Sequence, residues 1–150
     1  MKKGFTLIEL LIVVAIIGVV AAIAIPNIMV AIQKGKQKST IGDMKTIGNA
    51  IVAYQTAFDM VPDGADVAAL LYLEPHFTKK VIRRDGWWHP WHYACSGNAV
   101  VPDHFSLGSG GKDNIFTWAH TPGEYICISL ADFENDIIFS GSQFTYIPRH

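Results

Sequence analysis

Glu9 is the residue whose type and place most clearly call for chemistry. It lies inside a run, Phe5 to Ile25, that is apolar except for Glu9 and Thr6. Such a run is long enough to cross a hydrocarbon core of roughly 30 Å as a helix. A carboxylate near one end of a membrane helix is costly unless something pairs with it. A cut between Gly4 and Phe5 would create an amine on Phe5, one helical turn from Glu9 at i+4. Within one chain or between neighbours, amine and carboxylate would pair strongly in low-dielectric surroundings.

Other residues that could do chemistry lie further on. His89 and His92 flank Pro90 and Trp91, but zinc needs three or four convergent ligands, so loop packing is the better account. Cys95 and Cys127 form a candidate disulfide if the chain is exported and the two approach closely enough. "GSGGKDN" lacks the spacing of a phosphate loop, and no G-x-S-x-G nucleophile motif occurs, so an enzyme is not expected. The formal net charge of -1 provides no basic stripe for nucleic acid. Trp87, Trp88, Trp91 and Tyr93 are expected to fill a core and a contact with a neighbouring chain.

Three fates are open to the apolar segment that carries Glu9. It can be a signal peptide cut after Ala22-Ile23-Ala24, a simple anchor, or a helix retained after a cut at Gly4. Glu9 favours the last, since a discarded peptide has no use for a costly carboxylate. Lys2 and Lys3 ahead of the run place the N-terminus in the cytoplasm. Pro26 removes one helix hydrogen bond and predicts a kink. Beyond it, Ile41, Met44, Ile47, Ile51, Tyr54 and Phe58 recur at helical spacing, away from Lys34, Lys36, Lys38, Asp43 and Lys45. Gly35, Gly42 and Gly48 weaken that helix and allow bending or close approach. One helix is expected from about Phe5 to Phe58, ending at the turn chemistry of "DMVPDGAD". A short helix follows in "DVAALLYL", with Asp66 as a candidate cap; "EPHFTKKVIRRDGWWHPWHYACSG" reads as loop followed by strand, "HFSLGSGGKDN" as strand ending in a glycine-rich turn, and "GEYICISL" and "SQFTYIPR" as strands. The class is α+β: a long N-terminal helix carrying a small antiparallel sheet.

"KKGFTLIELLIVVAIIGVVAAIAIP" resembles the N-terminus of the type IV pilin and pseudopilin superfamily. The resemblance implies prepilin peptidase cleavage between Gly4 and Phe5, N-methylation of Phe5, and assembly roles for Thr6, Glu9, Gly18 and Pro26. It divides the chain into a leader (1–4), a membrane and filament-core helix (5–28) and a pilin-like head (29–150). "RRDGWWHPWHY" resembles the Asp-Pro-Trp-Gly-x-Pro-Tyr segment of the major pseudopilin of type II secretion, with Gly86 and Trp88 departing from it. That branch binds calcium beside the following turn, which points to Leu107, Asp113, Asn135 and Asp136, with Asp132 and Glu134 nearby; a solvated acidic loop fits the same residues. The implied partners are copies of the chain itself, the inner membrane, the prepilin peptidase, an assembly ATPase, platform proteins and minor pseudopilins. The head would stand in the periplasm, and the filament would be periplasmic or extracellular. A type IV pilus subunit is the alternative of the same class. A soluble exported binding domain behind an ordinary signal peptide is the alternative of another.

Overall fold

The computed structural model describes residues 4–64, 66–98, 101–120 and 122–149, with only the backbone for 97, 98, 101 and 102. Lys2 and Lys3 lie outside the described residues. One helix, α1 (Leu7–Phe58), takes up the first third of the chain and runs on through Gly18 and Pro26. Asp59 ends it in a left-handed conformation (φ 57), its N–H donating to the Gln55 carbonyl at 2.8 Å. Aspartate tolerates that region better than most residues. The short helix α2 (Asp66–Leu70) continues into a 3-10 turn, Leu71–Leu73. Asp66 opens α2 with a left-handed backbone (φ 57).

Five strands follow: β1 (His92–Asn98), β2 (Val101–Ser109), β3 (Gly123–Ile126), β4 (Ile137–Ser140) and β5 (Gln143–Arg149). They form one sheet in the order β1-β2-β4-β5-β3. All neighbours are antiparallel except β3 and β5, which run parallel, a departure from the expected antiparallel sheet. The β4–β5 hairpin turns on Gly141 and Ser142, both at positive φ, as a tight two-residue turn requires.

The sheet lies on the C-terminal half of α1. Met44, Ile47 and Ile51 are buried against Trp91, Tyr93, Phe105, Leu107 and Phe139, as the spacing predicts. Phe58, the last residue of the predicted stripe, remains exposed. The helix glycines divide by function. At Gly48 a Cβ would collide with the Phe139 ring, so its bareness lets helix and sheet approach; at Gly42 a Cβ would meet nothing within 4 Å.

Opposite effects are therefore expected from the same substitution. In detergent-solubilised protein, Gly42→Ala raises stability by up to ~1 kcal/mol through helix propensity, and Gly48→Ala lowers it by about 1–3 kcal/mol through overpacking. Urea midpoints measure both.

Candidate functional site

The N-terminal segment begins in irregular, exposed backbone at Gly4 and Phe5, so the Gly4–Phe5 bond is accessible. Thr6 then caps α1 in a T-x-x-E capping box. The Thr6 side-chain oxygen accepts the Glu9 N–H at 3.3 Å. In return Glu9 Oε2 accepts the Thr6 N–H at 2.8 Å and the Thr6 hydroxyl at 2.6 Å. The helix thus starts at Leu7, and Phe5 stands outside it. In the uncut chain, the Glu9 carboxylate serves its own helix start. The box was legible in the sequence, where Thr6 and Glu9 precede an apolar run at capping spacing. Behind it, the most apolar 18-residue stretch of α1 is 0% buried.

A second constellation ties the head to the helix. Asp85 is buried, with both carboxylate oxygens engaged. Oδ1 accepts the N–H groups of Trp87 (2.9 Å) and His89 (2.8 Å), and Oδ2 accepts the Ser109 hydroxyl (2.6 Å). The turn so formed lies on α1. Gly86 N–H donates to Thr40 Oγ1 at 2.9 Å, and Trp87 Nε1 donates to Gln33 Oε1 at 2.7 Å. A Cβ on Gly86 would run into the Lys36 carbonyl, so glycine is needed where the resembling pattern has proline. Trp88, where that pattern has glycine, keeps the left-handed backbone at φ 71 and leaves its indole 74% exposed. Trp87 and Trp91 are buried core residues, the latter donating to the Ile82 carbonyl at 2.7 Å.

The residues expected to ligate calcium are each engaged with other groups of the chain. Leu107 is mid-strand, paired with Tyr93 on one side and Phe139 on the other, so its carbonyl belongs to the sheet. Asp113 Oδ1 accepts the Ile115 N–H at 3.0 Å. Asn135 Nδ2 donates to the Asp132 carbonyl at 3.0 Å. Asp136 Oδ2 takes the Thr117 N–H at 3.0 Å and His120 Nε2 at 2.5 Å. Asp132 accepts N–H groups from Ser129 and Ile128, which hold its carboxyl below the usual aspartate range. The loop closes through contacts between its own residues. Gly111 lies against the backbone of 133–135, Lys112 N–H donates to the Phe133 carbonyl at 2.8 Å, and the Lys112 ammonium pairs with Glu134 at 3.0 Å. One loop oxygen, Asp136 Oδ1, is buried without a partner among the described residues. Among the described residues no group of three or more His, Cys, Asp or Glu is placed to hold a metal.

The disulfide is also corrected. Both cysteines are free. Cys95 is on β1 and Cys127 directly follows β3, at opposite edges of the sheet. Four strand spacings separate those edges, roughly 19 Å. Chelation should accordingly leave the thermal midpoint of the protein unchanged. His120→Ala, which strands the buried Asp136 carboxylate, should cost about 1–3 kcal/mol. A midpoint that falls in excess chelator would contradict this account of the loop.

Residues 1–25 match the prokaryotic N-terminal methylation motif. The chain is 30% identical over 123 residues to the type II secretion system core protein G of Pseudomonas aeruginosa, covering 75% of this chain and 87% of the relative. It is 35% identical over 132 residues to the core protein G of Escherichia coli, covering 78% and 91%. Similarity to the type IV major pilin protein PilA of Myxococcus xanthus is 44% over 65 residues but spans only 43% of this chain and 30% of that one. No solved structure matches. The match to the secretion proteins therefore takes in head as well as helix, and the chain belongs to the type II secretion system core protein G family, the major pseudopilins of the pilin-like superfamily.

Proposed function

We propose that this chain is made as a precursor and cut between Gly4 and Phe5 by a prepilin peptidase. Phe5 is then N-methylated, and residues 5–28 hold the subunit in the inner membrane with its head in the periplasm. From there the subunit is drawn into a helical homopolymer. The observation that supports this best is the bare half of α1, whose most apolar stretch is 0% buried. Lipid covers it before assembly and neighbouring helices cover it afterwards, through Leu7, Ile8, Leu10, Leu11, Val13 and Val14, all exposed in the single chain.

Glu9 sets the register. Both of its hydrogen bonds fall on Oε2, and cleavage adds an amine at Phe5 beside the cap. In the filament the carboxylate accepts the Phe5 amine of a neighbouring chain. A polar pair in an apolar bundle specifies alignment in this way. Gly18 and Pro26 are where α1 yields as subunits pack: glycine is a weak helix former, and proline removes a hydrogen bond. The chain has no nucleotide motif, so a separate ATPase drives assembly through platform proteins, with minor pseudopilins as further partners.

Glu9→Ala and Glu9→Val should insert into membranes normally but lower the yield of sheared filament by about tenfold or more, as loss of ~1.4 kcal/mol per contact predicts. Carbonate-resistant membrane protein and electron microscopy of sheared fibres measure the two steps separately. Wild-type filament yield from either variant would remove Glu9 from the mechanism.

A further inference from the structure

The head touches α1 at a level that the membrane span determines. A hydrocarbon core of roughly 30 Å takes about 20 helical residues, so a span beginning near Glu9 ends near Met29. Positions 33 to 40 then lie about 6–17 Å further along the axis, in the headgroup layer and at its outer surface. Three contacts fix the base of the head at that level. Trp87 donates to Gln33, Gly86 donates to Thr40, and Gln37 Nε2 donates to Cys127 Sγ at 3.3 Å.

The surface around those contacts is apolar and basic. Trp88 is next in sequence to Trp87 and is 74% exposed, held so by a left-handed backbone that a bulky residue rarely adopts. Ile126 and Ile128 flank Cys127 and are exposed. Lys34, Lys38, Arg83 and Arg84 are exposed, and Lys36 is half-buried. The Arg84 guanidinium donates to the Trp88 carbonyl at 2.7 Å, joining a cation to the indole's own turn. Nearby carboxylates are engaged or lie higher on the helix. Asp85 is buried in its turn, Asp132 is held by Ile128 and Ser129, and Asp43 stands one turn beyond Ser39. Lysines close after a membrane span, on the head side, run against the usual bias of such residues to the cytoplasm.

We propose that the base of the head seats on an anionic bilayer before assembly. Trp88, Ile126 and Ile128 enter the headgroup layer, and the collar of Lys34, Lys36, Lys38, Arg83 and Arg84 binds lipid phosphates. Interfacial tryptophan and clustered basic residues are the standard chemistry of such contacts. This rests on the membrane-anchored reading above.

The test uses the full chain reconstituted in phosphatidylcholine vesicles containing about one third phosphatidylglycerol, with and without bromine on the acyl carbons nearest the headgroups. Bromine should quench tryptophan emission. Trp88→Phe should remove most of that quench and Trp118→Phe should keep it. Arg83→Gln combined with Lys38→Gln, or high salt, should weaken it. Equal quenching of Trp88→Phe and wild type, or equal quenching of wild type without the anionic lipid, would overturn the proposal. Trp88 protection that follows subunit density rather than lipid charge would also overturn it, assigning the surface to a second copy. Flotation separates the two readings: a chain that fails to float with vesicles contradicts membrane anchoring itself, whereas one that floats with Trp88 unquenched contradicts only the seat.

Discussion

Everything in this molecule follows from one constraint: a 52-residue helix whose first half is left uncovered by the described residues of its own chain. Burying an exposed leucine, isoleucine or valine side chain is worth about 1.5–3 kcal/mol. A run of them cannot stay in water. Lipid tails and neighbouring helices satisfy this demand almost equally, because both are apolar. Moving a subunit from bilayer to fibre therefore changes its hydrophobic free energy little. On the proposed account, packing detail and the few polar groups then decide alignment, with the Glu9 carboxylate the one charge in a segment of aliphatic side chains.

The other half of the helix is covered by a head built to fit it closely. Gly48 lets α1 approach Phe139, and Gly86 lets the Asp85 turn rest against the Lys36 carbonyl. Asp85 accepts three hydrogen bonds in the interior, so the aromatic turn that reaches Gln33 and Thr40 keeps one shape. A buried carboxylate is tolerable when each oxygen has donors, and a satisfied network of this kind makes its surroundings rigid. The head is thereby fixed at a set height on the helix, and whatever the helix does in membrane or fibre carries the head with it.

Local features could be read from the residues, and features that depend on distant contacts could not. The period of Met44, Ile47 and Ile51 gives the helix and its buried face directly. Asp59 and the Pro62–Gly64 turn mark its end. β4 is not legible from periodicity: Ile137–Phe139 is a short unalternating apolar run, which periodicity cannot classify. Its signal lay in the Gly141–Ser142 turn between two runs. The parallel pairing of β3 with β5 joins residues 23 apart and leaves no local trace. The calcium reading and the disulfide both depend on how distant groups are brought together, which no local pattern encodes. Lys112 pairs with Glu134, Leu107 is committed to the sheet, and the two cysteines lie at opposite sheet edges.

The central claim is that the apolar helix survives in the mature protein because it is the assembly element. Intact-mass and N-terminal peptide mass spectrometry on protein from its native membrane tests this most directly. The account predicts a chain that starts at N-methylated Phe5, with the whole of α1 retained. A mature chain starting at Ile25 would mean that the segment was an ordinary signal peptide, and would contradict the filament account.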